Sequence, residues 1–117
     1  MNTREKLLGL NLAQETVNID GITVIVKEMT AGEGAEYENS LYKIIGQSVK
    51  MDMKNARSKL IALTCYDEQG AKLFDKKDEE QVKLLPNRVA AKLFDVASRL
   101  NNLTSDGQID VDGAVKN

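Results

Sequence analysis

Few residues in this chain are equipped for chemistry. Cys65 is the single cysteine and histidine is absent. A nucleophilic thiol needs a base or a positive setting to become the thiolate. With no imidazole anywhere, Cys65, set among Leu63, Thr64 and Tyr66, reads as a buried structural residue. The same absence removes His-dependent triads and every zinc site built on imidazole. The run Asp75–Glu80, DKKDEE, offers clustered carboxylates. General acid–base work needs two carboxyls with separated pKa values in a shielded cleft. A charge run at a helix start reads instead as a solvated, dipole-favoured N-terminus. Asp110, Asp112 and Gly113 mimic the middle of an EF-hand loop. Alignment on Gly113 puts Gln108 in the first ligand position and leaves the closing glutamate beyond Asn117, so a solvated acidic tail is the reading here. Gly32 and Gly34 flank a helix start suited to an anion, but Glu33 between them opposes phosphate. No Walker-type loop or GxGxxG occurs. The sequence therefore implies no catalytic residue, no metal ligand and no cofactor.

The elements that would position any site come from periodicity and turn chemistry. Thr3 to Ala13 reads as a short helix weakened by Gly9 and Asn11, with Leu7, Leu8 and Leu12 on one face and Leu10 at its margin. Val17 and Ile19, then Asp20-Gly21, then Ile22, Val24 and Val26 predict a hairpin. Thr30-Ala31-Gly32-Glu33 has capping-box spacing and predicts a helix to about Gln47. Tyr37, Leu41, Ile44 and Ile45 form its expected buried stripe, with Gly46 near its end. Val49 to Asn55 is expected as a loop or a poorly anchored helical turn. Arg57 to Tyr66 fits helix or strand. Ile61, Thr64 and the turn Asp67–Gly70 favour a strand opening a second hairpin, with Ala71 to Phe74 returning. Asp75 or Asp78 caps a short helix through Leu84, which Pro86 ends. Asn87 then caps a helix from Arg88 to Leu100, whose apolar face is Val89, Leu93, Val96, Ala97 and Leu100, with Phe94 beside it. Asn101-Asn102 closes it, and Thr104 or Ser105 is placed to cap a final turn. The expected fold is a single α+β domain over residues 1–105: a small antiparallel sheet from two hairpins, packed with three to five helices. Residues 106–117 are expected as a flexible acidic tail.

Composition narrows the function classes. The 117 residues suit one domain, with 42 % hydrophobic and 29 % charged residues and a formal net charge of −2. Acidic and basic residues are interspersed, so the positive patch needed by a DNA-backbone binder is missing. Three Tyr and two Phe leave little material for stacking bases. No apolar run approaches a membrane span, and the N-terminus lacks the pattern of a signal peptide. A reducing cytoplasm is the expected location, without nucleic acid or membrane as partner.

The stretch from Asn55 to Asp106 carries an ordered set of motifs. Arg57, Leu60, Ile61, Ala62 and Leu63 are followed by the turn Asp67, Glu68 and Gly70, then Leu73-Phe74, then the acidic helix start Asp78-Glu79-Glu80. The set ends at Leu100, Asn101, Leu103 and Thr104, and upstream Glu28 to Glu33 follows a strand. In order and spacing, over about residues 17 to 105, this resembles the tail assembly chaperones of siphophages and related prophages. The resemblance implies a protein of the host bacterial cytoplasm, absent from the mature virion. Its implied client is the tape-measure protein, a long, largely helical chain kept soluble before the tail tube polymerises. A second implied partner is a longer −1 frameshift product of the same gene, and a homo-oligomer is compatible with the family. The family tail is usually a continuous acidic helix, whereas Gly107 and Gly113 interrupt this one. If the Val115 codon ends in A, Lys116-Asn117 can complete a slippery heptamer.

Leu7, Leu8, Leu10 and Leu12 are the candidate partner-binding residues. They either pack on the parent domain or contact a second subunit or client, and the sequence leaves both readings open. Two other function classes compete with the chaperone: a structural tail subunit (tube or completion), and a small enzyme using carboxylates with a divalent metal.

Overall fold

Asp20 and Gly21 sit at φ 52° and 82°, the paired positive values of a turn whose twist matches that of the strands it joins. The computed structural model describes residues 1–103 apart from Asp52 and Lys54. In it, β1 (Gln14–Ile19) and β2 (Ile22–Lys27) flank this turn as an antiparallel pair, with Val17 opposite Val24. Val17, Val24 and Val26 are buried. The predicted hairpin is present as expected. A short third strand, β5 (Cys65–Tyr66), joins the other edge of β2 and sets Cys65 opposite Val26, giving the order β1-β2-β5.

α1 (Thr3–Leu8) is capped by Asn2, whose Oδ1 accepts from the Glu5 amide at 2.8 Å. It stops at Gly9 rather than reaching Ala13. α2 (Ala31–Ser40) opens on the expected capping box. The Thr30 hydroxyl accepts from the Glu33 amide at 3.2 Å, and Glu33 Oε1 accepts from the Thr30 amide at 3.0 Å.

The helix then ends seven residues before the predicted Gln47. β3 (Tyr42–Ile45) and β4 (Ser48–Met51) form a second hairpin instead. Gly46, at φ 62°, takes the first position of its two-residue turn rather than ending a helix. Tyr37 and Leu41 are buried as the helical stripe required, but Ile44 and Ile45 are exposed. The physical reason is a shared pattern. Tyr37, Leu41, Ile44 and Ile45 keep helical spacing, while Tyr42, Ile44 and Val49 also alternate about a Gly turn.

Arg57 to Tyr66 is mainly helix, against the strand favoured above. α3 (Ala56–Thr64) buries every residue from Leu60 to Thr64, and only Arg57 and Lys59 near its start reach solvent. A run of five buried residues shows no polar face, so periodicity could not separate it from a buried strand. Only Cys65 and Tyr66 are extended, and the expected return strand shrinks to one bridge between Tyr66 and Lys72. The Asp67 carboxylate organises that turn by accepting from the Gln69 and Ala71 amides.

A 3-10 turn (Lys76–Asp78) leads into α4 (Glu79–Val82), and the Asp75 amide donates to Asp78 Oδ2 at 3.1 Å. α5 (Asn87–Leu100) follows Pro86. Asn87 is its first residue rather than its cap, and its Oδ1 accepts from Arg57 at 3.2 Å. The far end is a Schellman closure. Asn102 lies at φ 54°, the Leu103 amide bonds Ser98 O, and the Asn102 amide bonds Arg99 O. Leu93, Phe94, Val96 and Ala97 of α5 are buried, while Val89 and Leu100 pack at the core margin. α3 lies centrally, and Leu60, Ile61, Val26, Cys65, Val96 and Ala97 are all fully covered. The caps assigned to Thr104 and Ser105, the calcium-like Asp110, Asp112 and Gly113, and the tail 106–117 lie outside the described residues.

Candidate interaction surface

Of the charged groups singled out in the sequence, Glu33, Lys76 and Glu79 pair with charges on other elements. Lys59 reaches Glu36 at 3.2 Å and Glu79 at 3.1 Å, Lys76 reaches Glu36 at 2.8 Å, and Lys72 reaches Glu33 at 2.8 Å. These pairs tie α2, α3, the 3-10 turn and α4 together. Partial burial pushes the Glu33 carboxyl up, but hydrogen bonds from Lys72 and the Thr30 amide outweigh it and hold Glu33 below its ordinary value. Lys76 and Lys59 likewise lower Glu36. Burial pulls Lys59 down, yet Glu79 and Glu36 together leave it raised. An acid held ionised by lysines is poorly placed to exchange protons near neutral pH. Burial pushes the Cys65 thiol up to about 12, which makes it a packing group rather than a nucleophile. Among the described residues no three His, Cys, Asp or Glu side chains cluster so as to hold a metal ion. Among them, too, no helix is long and apolar enough to cross a membrane.

The candidate leucines stand away from the core. No residue of α1 is buried, and exposure runs from 36 % at Leu12 to 72 % at Leu10. Of the two readings left open, packing of these side chains on the parent domain is not what the structure shows. Because the helix stops at Gly9, Leu7 and Leu8 lie on α1 while Leu10 and Leu12 lie on the segment leading to β1.

Sequence reasoning missed a second apolar surface. Tyr42 pairs with Met51 and Ile44 with Val49 across the β3–β4 hairpin. Residues directly opposite, and residues two apart, share one face of a strand pair. That face is therefore Tyr42, Ile44, Val49 and Met51, all apolar and all solvent-exposed, from 42 % at Met51 to 78 % at Ile44. Isolated two-stranded hairpins are marginal in water, and an uncovered apolar face marks an interaction site. The signal in the sequence was Gly46-Gln47 between two alternating segments, hidden by the helical reading of Ile44 and Ile45. A groove lies beneath the β1–β2 turn, lined by Ile19, Phe74, Val89 and Leu93, and the Arg88–Asp20 ion pair, at 2.6 Å, stands beside it.

A scan against protein-family models gives no match, and neither does a search of curated proteins. Comparison with solved structures gives the tail assembly chaperone of bacteriophage HK97, at 19 % identity over 85 % of this chain and 98 % of that one, with a TM-score of 0.60. The fold is that of a phage tail assembly chaperone. The tail assembly chaperone likeness therefore holds in three dimensions where few side chains are shared. A conserved arrangement of elements at low identity leaves function to be argued from the surface.

Proposed function

We propose that this protein is a phage tail assembly chaperone that binds the tape-measure protein and keeps it soluble before the tail tube polymerises. The observation that carries the reading is the uncovered face of Tyr42, Ile44, Val49 and Met51, on a chain with the fold of the HK97 chaperone. A chaperone of this kind works by mass action: it binds the client's exposed apolar stripes and lowers the concentration free to aggregate. Each covered apolar side chain contributes roughly 1.5–3 kcal/mol at most. Ordering and association costs consume much of that, so one copy holds one stripe weakly. Many copies along one long client supply the retention that a single copy lacks. Met51 suits the task, because a flexible thioether adapts to stripes of varied shape. The exposed Leu7, Leu8, Leu10 and Leu12 are a second candidate contact. The reading places the protein in the host cytoplasm, with a longer frameshift product of the same gene as a further partner.

The test is co-expression with the tape-measure protein of the same phage. Wild type should carry that protein into the soluble fraction and co-purify with it. The double variant Tyr42→Asp with Ile44→Asp should lose roughly tenfold or more in affinity, about 1.4 kcal/mol, while its thermal midpoint is retained. A partner that stays insoluble and unbound beside the wild type refutes the reading. Stoichiometric recovery of the chain in purified tails would point instead to a structural subunit.

A further inference from the structure

The first turns of α3 and α5 meet at one cavity of about 500 Å³, lined by Arg57 and Ser58 from α3 and by Asn87 and Ala90 from α5. That volume is typical of a ligand pocket. Neither helix has a side-chain cap or an acidic residue in its first turn, so the positive ends of both dipoles are left uncompensated. The ionisable lining is cationic, Arg57 and Lys83. Lys83 pairs with Glu80 at 2.9 Å, whereas Arg57 has no carboxylate partner among the described residues. It is held instead by Asn87 Oδ1 at 3.2 Å and by the Phe94 ring, whose centroid lies 5.3 Å from the guanidinium carbon. Ser58 is only 8 % exposed, and its hydroxyl bonds to none of the described residues. Among them, Ser98 holds the one fully enclosed polar side-chain atom without a partner. The Ser58 hydroxyl therefore opens on the cavity rather than into the core.

We propose that this cavity receives a peptide segment of a partner protein in which an acidic residue adjoins an aliphatic one. The carboxylate accepts from the unused N–H groups of Arg57 and from the Ser58 hydroxyl, while the aliphatic side chain packs on Ile61 and Val82 in the same lining. An arginine fixed by a ring and an amide is already oriented for a carboxylate. Asn87 gives its Oδ1 to Arg57, which leaves its NH2 group to donate to a peptide carbonyl. A carboxylate, an aliphatic group and a carbonyl together describe a peptide rather than free phosphate. The cavity shares no residue with the face of Tyr42, Ile44, Val49 and Met51. The inference goes beyond the chaperone reading and stands without it.

Titration of the full chain with acetyl-Leu-Glu-Leu-amide, followed by the amide resonances of Arg57, Ser58, Asn87 and Ala90, tests it. These resonances should shift saturably. The glutamine analogue acetyl-Leu-Gln-Leu-amide should bind about tenfold more weakly, because it lacks the charge-assisted bonds. Arg57→Gln should weaken the glutamate peptide about tenfold as well. Ser58→Ala should weaken it roughly threefold, and it leaves the Arg57 contacts with Asn87 and Phe94 in place, so its effect does not depend on any loosening of α5. Absence of saturable shifts at these four amides would overturn the proposal, as would equal binding of the two peptides or shifts confined to residues 42–51. Octanoate or inorganic phosphate binding more tightly than the glutamate peptide would also overturn it, by making the cavity a site for a free anion.

Discussion

Glu33 serves two partners with its two oxygens: Oε1 accepts from the Thr30 amide at the start of α2, and Oε2 accepts from Lys72. Both interactions favour the ionised form, and its folded pKa lies below the ordinary 4.5. A carboxyl lowered in this way contributes in full above the unfolded value and loses that contribution as pH falls through the folded one. Glu36 behaves alike. Lys59 and Lys72, raised above 10.5, contribute below that value and lose it as pH climbs through their folded values. Urea midpoints should therefore hold between pH 5 and 9 and decline on either side. Glu33→Gln should flatten the acid limb, and an acid limb unchanged in that variant would show that the pair carries no linkage. At this scale the sequence was legible where one local rule decides the matter. The capping box at Thr30 and Glu33 and the buried Cys65 follow from residue type and immediate neighbours. The pairing of Glu36 and Glu79 through Lys59 joins residues that only the fold brings together, so Asp75–Glu80 read as solvated although Lys76 and Glu79 are paired.

Elements were legible in proportion to how distinctive their period is. The β1–β2 hairpin has alternation and an Asp-Gly turn, and α5 has one apolar face and one polar face. Both were readable, although the cap of α5 shifted from Asn87 to Pro86. α3 is buried throughout Leu60–Thr64, so its β-branched Ile61 and Thr64 suggested a strand that tertiary packing overrides. At β3–β4, Ile44 and Ile45 extended a helical register by chance of spacing. The hairpin's own determinant is Gly46 at φ 62°. Gly46→Val forces a β-branched residue into the left-handed region, at roughly 1–2 kcal/mol. Hydrogen exchange over residues 42–51 should quicken while the global urea midpoint stays within experimental error. A global loss would mean that the hairpin is integral to the core. The candidate leucines illustrate another limit: pattern alone does not tell an apolar stripe that is covered from one that is not.

Across the whole molecule, α3 is the post around which the sheet and α5 are arranged. Leu60 is fully buried there, and Leu60→Ala should cost about 2–5 kcal/mol. For a domain near this size each kcal/mol shifts the melting midpoint by roughly 4–8 °C, so the variant should melt at least several degrees lower by calorimetry. A shift under two degrees would contradict the central placement of α3. The order β1-β2-β5 has a further consequence. Between the paired strands β2 and β5 the chain makes one long excursion through α2, the β3–β4 hairpin and α3. The ends of that excursion are anchored by Tyr37 and Leu41 on one side and by Ala56 and Leu60 on the other, while none of the described side chains of the hairpin between them joins the core. The hairpin is thus a cassette: exchanging its ten residues for another sequence of similar span should leave the scaffold's melting midpoint unchanged.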